Sequence, residues 1–420
     1  MKKLSLIVMG VVCLIVIASV FSVVYLKESK PYEKTTTPVR LADETNYTVE
    51  SLGSLIDSLN DFSFNFYQKV SKDNSGNIFF SPYSIFVALS MTYEGAQGNT
   101  ATQMQSVLNI LQNDSATRGS FGKIYNLLNQ KQDGYTISTA NAFWAQQNYR
   151  FLPNYISILK SYYMAEANEL DFSNNVKAAE IINAWIENNT NGKIKNMIDP
   201  GALSDLTRLV LTNAIYFKGL WENQFDSKDT SETDFKTTSN ETVKVDMMHL
   251  SDIEFNYAET NDLQILKLPY KGNDLSMIII LPKESNVSIA ESQLNAVNLT
   301  NWNSSLRKKE IAVNIPKFKF ETEYNLNDIL MKMGITDAFS GAADFSGMDG
   351  TRNLFISDVL HKAFVEVNEE GTEAAAASGV IMTLKTIPYT FNADHPFVFL
   401  IQHEKTGAIL FMGKVTNPAE

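Results

Sequence analysis

The chain has 420 residues, of which 44% are hydrophobic and 20% are charged, and these proportions are typical of a globular protein. They argue against a largely disordered chain, a collagen, a coiled coil and a multi-span transporter. The formal net charge is -12, so the chain as a whole has no positive field to hold a phosphate backbone, and nucleic acid is not expected as a partner.

An uncharged apolar segment opens the chain. Residues 4–26 follow Lys2 and Lys3 and contain no charge, and about 20 apolar residues are enough to cross a membrane as a helix. The basic residues before the segment favour an orientation that exports everything after it. Small residues such as Ala18 and Ser22 also permit cleavage as a signal peptide. We therefore expect an extracytoplasmic protein that is either anchored in the membrane by residues 4–26 or secreted.

Helical patterns dominate the first half of the chain after a polar stretch, 27–51, that is typical of a tether. Apolar residues recur at three- and four-residue steps, as one face of a helix requires, at Leu52, Leu55, Ile56, Leu59, Phe62 and Phe66. Ser81 followed by Pro82 predicts an N-cap and a first-turn proline, and Gly95 can end that helix. Further helical patterns cover about 100–111, 154–164 and 176–189.

Strand patterns dominate the second half of the chain. They are rich in Ile, Val and Phe and cover 209–217, 275–281, 311–320, 396–403 and 408–415. Helices first and strands later, with little strict alternation, predict an α+β fold and argue against a doubly wound parallel sheet. The sequence shows no repeat and no internal linker, so we expect a single large domain over residues 52–420.

The motifs of common catalytic and metal sites are absent from the sequence. The four histidines form no HExxH pair, and no serine lies in a G-x-S-x-G elbow. The single cysteine, Cys13, can form no internal disulfide and offers no cysteine framework for a metal. We therefore expect no enzyme, no bound metal and no cofactor.

One alanine-rich stretch, 364–390, permits two interpretations. Alanine favours helix, so a short surface helix or linker is the first. As a strand, the same residues would place Thr372 and its alternate neighbours on one face and Glu373 on the other. Residues this small can enter between two existing strands at little steric cost, whereas a charged side chain at Thr372 would have to lose its water. The second interpretation is a segment that is exposed in one state and a central strand in another.

A series of motifs, in order along the chain, resembles the serpin family from about Leu52 to Pro418. The motifs are NIFFSPYSI at 77–85, TNAIYFKGLW at 212–221, PKFKF at 316–320, ADFSGM at 343–348, EEGTEAAAA at 369–377, PFVFL at 396–400 and FMGKVTNP at 411–418. The resemblance implies a serpin fold: a central, mostly antiparallel sheet, two smaller sheets, surrounding helices and an exposed reactive-centre loop at about 369–388.

The resemblance also implies a mechanism. A target serine protease cleaves the loop of a metastable inhibitor and is trapped as an acyl-enzyme when the cut loop inserts into the central sheet. The expected protein is thus a monomeric, inhibitory serpin that contributes no catalytic residue. The alternative is a non-inhibitory serpin that acts as a binding or chaperone-like protein.

The motifs assign roles to particular residues. The reactive bond falls at Lys385-Thr386, and a lysine there suits a trypsin-like protease with an acidic pocket. A shift by one residue to Leu384 would suit a chymotrypsin-like or subtilisin-like target. The hinge that starts insertion comprises Glu369, Glu370, Gly371, Thr372, Glu373, Ala374, Ala375, Ala376 and Ala377.

Two further sites follow from the resemblance. A polar cluster beneath the central strands, called the shutter in this family, must part for insertion. It corresponds to Ser81, Ser84, Asn213 and His361. Trp221 corresponds to the breach, where the loop first enters the sheet.

Overall fold

A computed structural model of the protein describes residues 41–110, 115–130, 132–238, 241–372 and 389–420. Leu41–Glu420 forms one unit by its internal contacts. Within the described ranges, no helix is both long and apolar enough to cross a membrane. The predicted anchor at 4–26 and the tether up to residue 40 lie outside these ranges, as do Glu373 to Ala377 and the Lys385-Thr386 bond.

Ser81 caps a helix as its sequence predicts. Its side chain accepts a hydrogen bond from the Ser84 backbone N–H, and Pro82 occupies the first turn. Thr48 caps the preceding helix in the same way through Ser51. The described α-helices are α1 (Val49–Asp73), α2 (Pro82–Tyr93), α3 (Gly98–Leu108), α4 (Ser115–Leu128), α5 (Pro153–Tyr162), α6 (Asn175–Asn189), α7 (Val287–Glu291), α8 (Ala296–Ser305), α9 (Asn327–Met333) and α10 (Ser346–Asp349). Short 3-10 helices lie at Pro200–Ala202 and Asp337–Phe339.

Strands supply the rest of the regular structure. In chain order they are β1 (Ile78–Phe80), β2 (Tyr135–Gln146), β3 (Glu166–Leu170), β4 (Leu209–Leu220), β5 (Ser231–Lys236), β6 (Thr242–Leu250), β7 (Glu254–Glu259), β8 (Leu263–Pro269), β9 (Leu275–Pro282), β10 (Arg307–Pro316), β11 (Phe318–Asn325), β12 (Leu360–Val367), β13 (Gly371–Thr372), β14 (Tyr389–Asn392), β15 (Phe397–His403) and β16 (Ile409–Val415). The predicted strands at 209–217, 275–281, 396–403 and 408–415 are all present.

The central sheet contains six of these strands in the order β11-β12-β13-β4-β2-β3. All of its pairs are antiparallel except β2 with β3. Because β12 and β4 each pair antiparallel with the two-residue strand β13, they run parallel to each other. The centre of this sheet therefore consists of two long parallel strands joined at one end by the start of the alanine-rich segment.

The remaining strands form two smaller sheets that share β10. Residues Arg307 to Glu310 pair with β7, whereas Val313 to Pro316 pair with β6 on one side and Ile311 to Asn314 pair with β14 on the other. The prediction of one strand over 311–320 is wrong. The chain leaves β10 at Pro316, the Lys317 N–H donates to the Asp246 carbonyl, and Phe318 starts β11 in the central sheet. A central sheet, two smaller sheets and helices confirm the expected α+β architecture.

The helices α1 and α2 bury aromatic side chains against the sheets. Phe62, Phe66 and Phe86 are fully or almost fully buried, and Phe79 stacks on Phe411 with ring centroids 5.5 Å apart. Burial of side chains this large supplies most of the hydrophobic stabilisation of such a core.

The start of the folded unit differs from the predicted boundary. The tether was expected to run to residue 51, but α1 begins at Val49 and the residues before it pack on the fold. The Ala42 backbone donates to Asn126 Oδ1 at 2.8 Å and accepts from Asn126 Nδ2 at 3.0 Å. The Asp43 N–H donates to the Ser161 carbonyl at 2.8 Å. Polar composition alone does not distinguish such a docked segment from a free one.

Candidate functional site

Thr372 lies between the two parallel strands of the central sheet. It pairs with Val367 of β12 on one side and with Gly219 of β4 on the other. Its side chain is buried, and its hydroxyl shares a hydrogen bond of 2.7 Å with the Tyr270 hydroxyl. The side chain therefore points to the inner face of the sheet, as expected for the strand interpretation of this segment.

Gly371 fills a position at which no side chain fits. A Cβ atom there would come within 1.9 Å of the Gly219 carbonyl oxygen, and its φ of +159° is one that L side chains rarely adopt. The backbone of β4 cannot yield without breaking its ladder with β2. A glycine is thus the condition for the close approach of this segment to β4.

Trp221 and Tyr270 form the surface on which this end of the segment rests. Their rings stack with centroids 4.6 Å apart and an interplanar angle of 16°. The Trp221 indole N–H donates to the Asn368 carbonyl at 3.0 Å, and its backbone N–H donates to the Glu370 carbonyl at 2.7 Å. Burial raises the pKa of Tyr270 far above its usual value, so this hydroxyl stays protonated. Trp221 was assigned by its motif, whereas no pattern in the sequence pointed to Tyr270.

The side chain of Glu369 connects the loop after β12 to residues next to the smaller sheets. Its carboxylate accepts hydrogen bonds from the Thr230 hydroxyl at 2.9 Å and the Lys317 ammonium at 3.2 Å. Burial alone would raise the pKa of Glu369, but these bonds and one from its own backbone outweigh burial and hold the pKa below its usual value. Glu370 has the opposite shift, because partial burial raises its pKa.

Ser81, Ser84, Asn213 and His361 meet in one buried cluster between α2, β4 and β12. The Ser81 hydroxyl donates to the Leu410 carbonyl at 2.7 Å, and the Ser81 N–H donates to His361 Nε2 at 3.1 Å. The Ser84 hydroxyl donates to Asn213 Oδ1. Two residues of one helix thus contact one side chain from each of the two parallel strands.

The His361 ring is neutral at physiological pH. Its Nε2 accepts a hydrogen bond, which requires an unprotonated nitrogen, and burial lowers the pKa of His361 to about 3. A charged ring here would have to be desolvated without a carboxylate partner in the contacts described above.

Asn141 extends the cluster and was missed at the sequence level. Its side chain accepts from Asn213 Nδ2 and donates to the Tyr163 carbonyl at 2.5 Å. Asn141 faces Asn213 directly in the β2–β4 register. Only that register brings together two asparagines that are 72 residues apart in the chain.

A cavity of about 400 Å³ lies between α2 and the first halves of β4 and β12. Its lining is largely apolar and includes Ile85, Leu89, Leu209, Leu211 and Met348, and it reaches Asn213 and His361. Within the described ranges, no group of three or more His, Cys, Asp and Glu side chains could hold a metal ion. The candidate site therefore combines an apolar cavity against β4 and β12 with the polar cluster described above.

Residues 57–418 match the model of the family described as Serpin (serine protease inhibitor). The chain belongs to the serpin family. It is 43% identical to an uncharacterized serpin-like protein of Thermococcus kodakarensis over 90% of this chain and 89% of that protein. It is 42% identical to Serpin B6 of Pongo abelii and 40% identical to the leukocyte elastase inhibitor of Xenopus laevis, each over 85% of this chain and 97% of the relative.

Solved structures give the same result. Uncleaved ovalbumin and a loop-inserted, cleaved ovalbumin mutant each match with a TM-score of 0.78 at 33% identity, over 87% of this chain and 100% of theirs. Human thyroxine-binding globulin matches with a TM-score of 0.79 at 31% identity, over 88% and 100%. This serpin is thus as similar in overall fold to an uncleaved relative as to a loop-inserted one.

Replacing Gly371 by Ala should expel the hinge from the sheet, because its Cβ would clash with the Gly219 carbonyl oxygen. Hydrogen exchange measured by mass spectrometry should then be about tenfold or more faster at the Trp221 and Phe225 amides, which donate to the Glu370 and Glu369 carbonyls. Gly53→Ala is the matched control, since a Cβ at that position would meet no atom within 4 Å. Unchanged exchange in Gly371→Ala would contradict the assigned contact.

The buried neutral ring of His361 should make the protein less stable in acid. An unfolded histidine has a pKa of about 6.5. Between that value and the folded pKa of about 3, the unfolded chain binds a proton that the folded chain does not. The free energy of unfolding should therefore fall by about 2 kcal/mol from pH 7 to pH 5 through this residue.

Chemical denaturation at the two pH values tests this expectation. His361→Gln keeps an acceptor for the Ser81 N–H and should remove this part of the pH dependence. Gly53→Ala, a substitution outside the cluster that changes no titratable group, should keep the wild-type dependence. Equal pH dependence in wild type and His361→Gln would rule out the assignment.

Proposed function

We propose that this serpin is a suicide-substrate inhibitor of trypsin-like serine proteases. Lys385-Thr386 is the bond offered to the protease, and the cut loop inserts between β12 and β4. The observation that carries the proposal is the position of Thr372, which pairs with both strands and faces inward. Gly371 and Thr372, the first residues of the strand that insertion would complete, already lie in the sheet.

The register of β13 supports insertion along the whole length of the gap between β12 and β4. Ser378 lies six residues after Thr372, and six residues before Gly219 and Val367 lie Asn213 and His361. An inserted strand in unbroken register would therefore place Ser378 between the two shutter residues. Cross-strand partners share a face of the sheet, so its hydroxyl would point at the polar cluster. Among the inward positions after Thr372, Ser378 is polar, and it would meet the polar cluster between the two strands.

The other inward positions suit the same path. Ala374 and Ala376 are small enough to pass the hinge end. In the continued register, Val380 and Met382 fall opposite Leu211 and Leu209, which line the apolar cavity. Filling such a space removes apolar surface from water and restores packing contacts, so insertion should be favourable by several kcal/mol.

Backbone pairing adds to this driving force. An inserted strand would run antiparallel to both β12 and β4, and antiparallel ladders are slightly more stable per residue than parallel ones. At about 3.3 Å per residue, insertion from Gly371 to Lys385 would move an attached protease by roughly 45 Å. A displacement of that size, across a covalent bond, can distort the protease before the acyl-enzyme is hydrolysed.

The choice of protease rests on the residue before the reactive bond. Lysine is the side chain that an acidic specificity pocket binds, so Lys385 favours a trypsin-like target. If the protease cuts one residue earlier, after Leu384, a chymotrypsin-like or subtilisin-like target is favoured instead. The protease supplies the nucleophile, so the proposal gives this chain no catalytic residue. We further propose that the inhibitor acts outside the cytoplasm, anchored by residues 4–26 or secreted.

A binding role without inhibition is the second candidate. It is favoured by the similarity to thyroxine-binding globulin, whose name states that it binds a small molecule. The inhibitory function is favoured by the leukocyte elastase inhibitor among the relatives and by the inward position of Thr372. The two functions differ in what happens after cleavage.

Incubating the purified protein with trypsin distinguishes them. We expect a complex that survives SDS and heat, with cleavage after Lys385 established by mass spectrometry of the released C-terminal peptide. Clean cleavage with full trypsin activity would contradict inhibition.

The same assay tests the direction of insertion. Thr372→Arg should lower the yield of stable complex by about tenfold or more, because an uncompensated charge would have to enter the buried face. Glu373→Arg is the matched control, since its side chain would face outward, and its complex yield should remain near that of wild type. Equal yields for the two variants would contradict the inward position of Thr372 during insertion.

A further inference from the structure

Lys309 lies between two tyrosine rings at the edge of the smaller sheets. Its ammonium is 4.4 Å from the ring centroid of Tyr389 and 5.1 Å from that of Tyr257. The two rings are themselves 6.4 Å apart between centroids. A cation within about 6 Å of an aromatic face is attracted by the ring quadrupole, so Lys309 attracts both rings.

The two tyrosines differ in how else they are held. Tyr257 is buried, and its hydroxyl accepts a hydrogen bond from Gln264 Nε2 at 2.7 Å. Tyr389 is 56% exposed, so its ring lacks much of the packing that fixes a buried ring. Gln264 also donates to the Thr390 carbonyl at 3.1 Å. Lys309 therefore connects a fixed ring to an exposed one.

Tyr389 is the first residue of β14, where it pairs with Ile311 of β10. It follows Thr386 by three residues, so the two Cα atoms can be at most about 11 Å apart. A protease bound at Lys385-Thr386 would therefore lie close to Tyr389. After cleavage, Thr386 stays on the β14 side of the cut, whereas insertion draws in only the residues up to Lys385.

We propose that Lys309 is a positioning residue for the reactive bond: by holding Tyr389 against Tyr257, it fixes the C-terminal stem of the loop so that Lys385-Thr386 is presented to the protease. The proposal rests on the reactive bond of the proposed function and not on insertion. Lys309 thus governs how fast the bond is attacked, and it has no part in whether the attacked protease is trapped.

Kinetics with trypsin separate these two effects. Lys309→Met keeps the length of the side chain but removes the charge, and it should lower the second-order rate constant by about threefold to tenfold. The number of inhibitor molecules consumed per protease trapped should stay at the wild-type value. Lys309→Arg should react at close to the wild-type rate, because a guanidinium also stacks on tyrosine rings.

Lys308→Met is the matched control. It removes the same charge from the preceding residue of β10, whose side chain faces the other side of the strand. Its rate constant should remain within about twofold of wild type, as expected for a change that leaves the ring contacts intact. An equal decrease in Lys308→Met and Lys309→Met would mean that net charge steers the protease, which overturns the proposal.

Tyr389→Leu tests the contact from the other side. It should slow the reaction as Lys309→Met does, and the double variant should be no slower than the slower single variant, because either change removes the same contact. Multiplicative effects, or an unchanged rate in Lys309→Met, would overturn the proposal. If wild type forms no stable complex, the proposed function fails, but the rate of cleavage after Lys385 still measures presentation of the bond.

Discussion

The pairing of Thr372 with both β12 and β4 is the contact on which the proposed mechanism depends. It places one inward side chain between two parallel strands and so sets the register for every residue that could follow. Gly371 permits the segment to approach β4, because β4 leaves no room for a Cβ atom there. The Tyr270 hydroxyl then shares a hydrogen bond with the Thr372 hydroxyl. Because the first residues of the loop are already ordered in the sheet, little further conformational entropy is lost when insertion begins.

The shutter cluster is the second constraint on insertion of the loop between β12 and β4. Asn213 and His361 are buried polar groups on the two strands that insertion would separate, and each has a hydrogen-bond partner at the start of α2. Leaving either group unpaired during insertion would cost about 1–3 kcal/mol. In the continued register of the proposed insertion, Ser378 would offer a new hydroxyl to these groups. The same polar groups can thus hold the sheet closed in one state and accept the inserted strand in the other.

Sequence reasoning succeeded where the signal is local. The cap at Ser81-Pro82 was predicted correctly, and so was the strand at 275–281, whose side chains are buried on both faces. It failed where strand pairing decides: residues 311–320 have a single strand pattern in the sequence, but at Lys317 the chain passes from β10 in the smaller sheets to β11 in the central sheet. Tyr270 and Asn141 act through partners that only the fold brings near, so no spacing in the chain could have identified them. The inward position of Thr372 followed from strand alternation, whereas its position between β12 and β4 could be known only from the structure.

If insertion completes the central sheet, cleavage of the loop must stabilise the protein. Thermal unfolding followed by circular dichroism, on the intact protein and on protein cut after Lys385, measures this directly. The account predicts a midpoint higher by about 5 °C or more in the cut form, since each kcal/mol gained by a domain of this size raises the midpoint by about 1–2 °C. Intact and cut protein that unfold at the same temperature would contradict it.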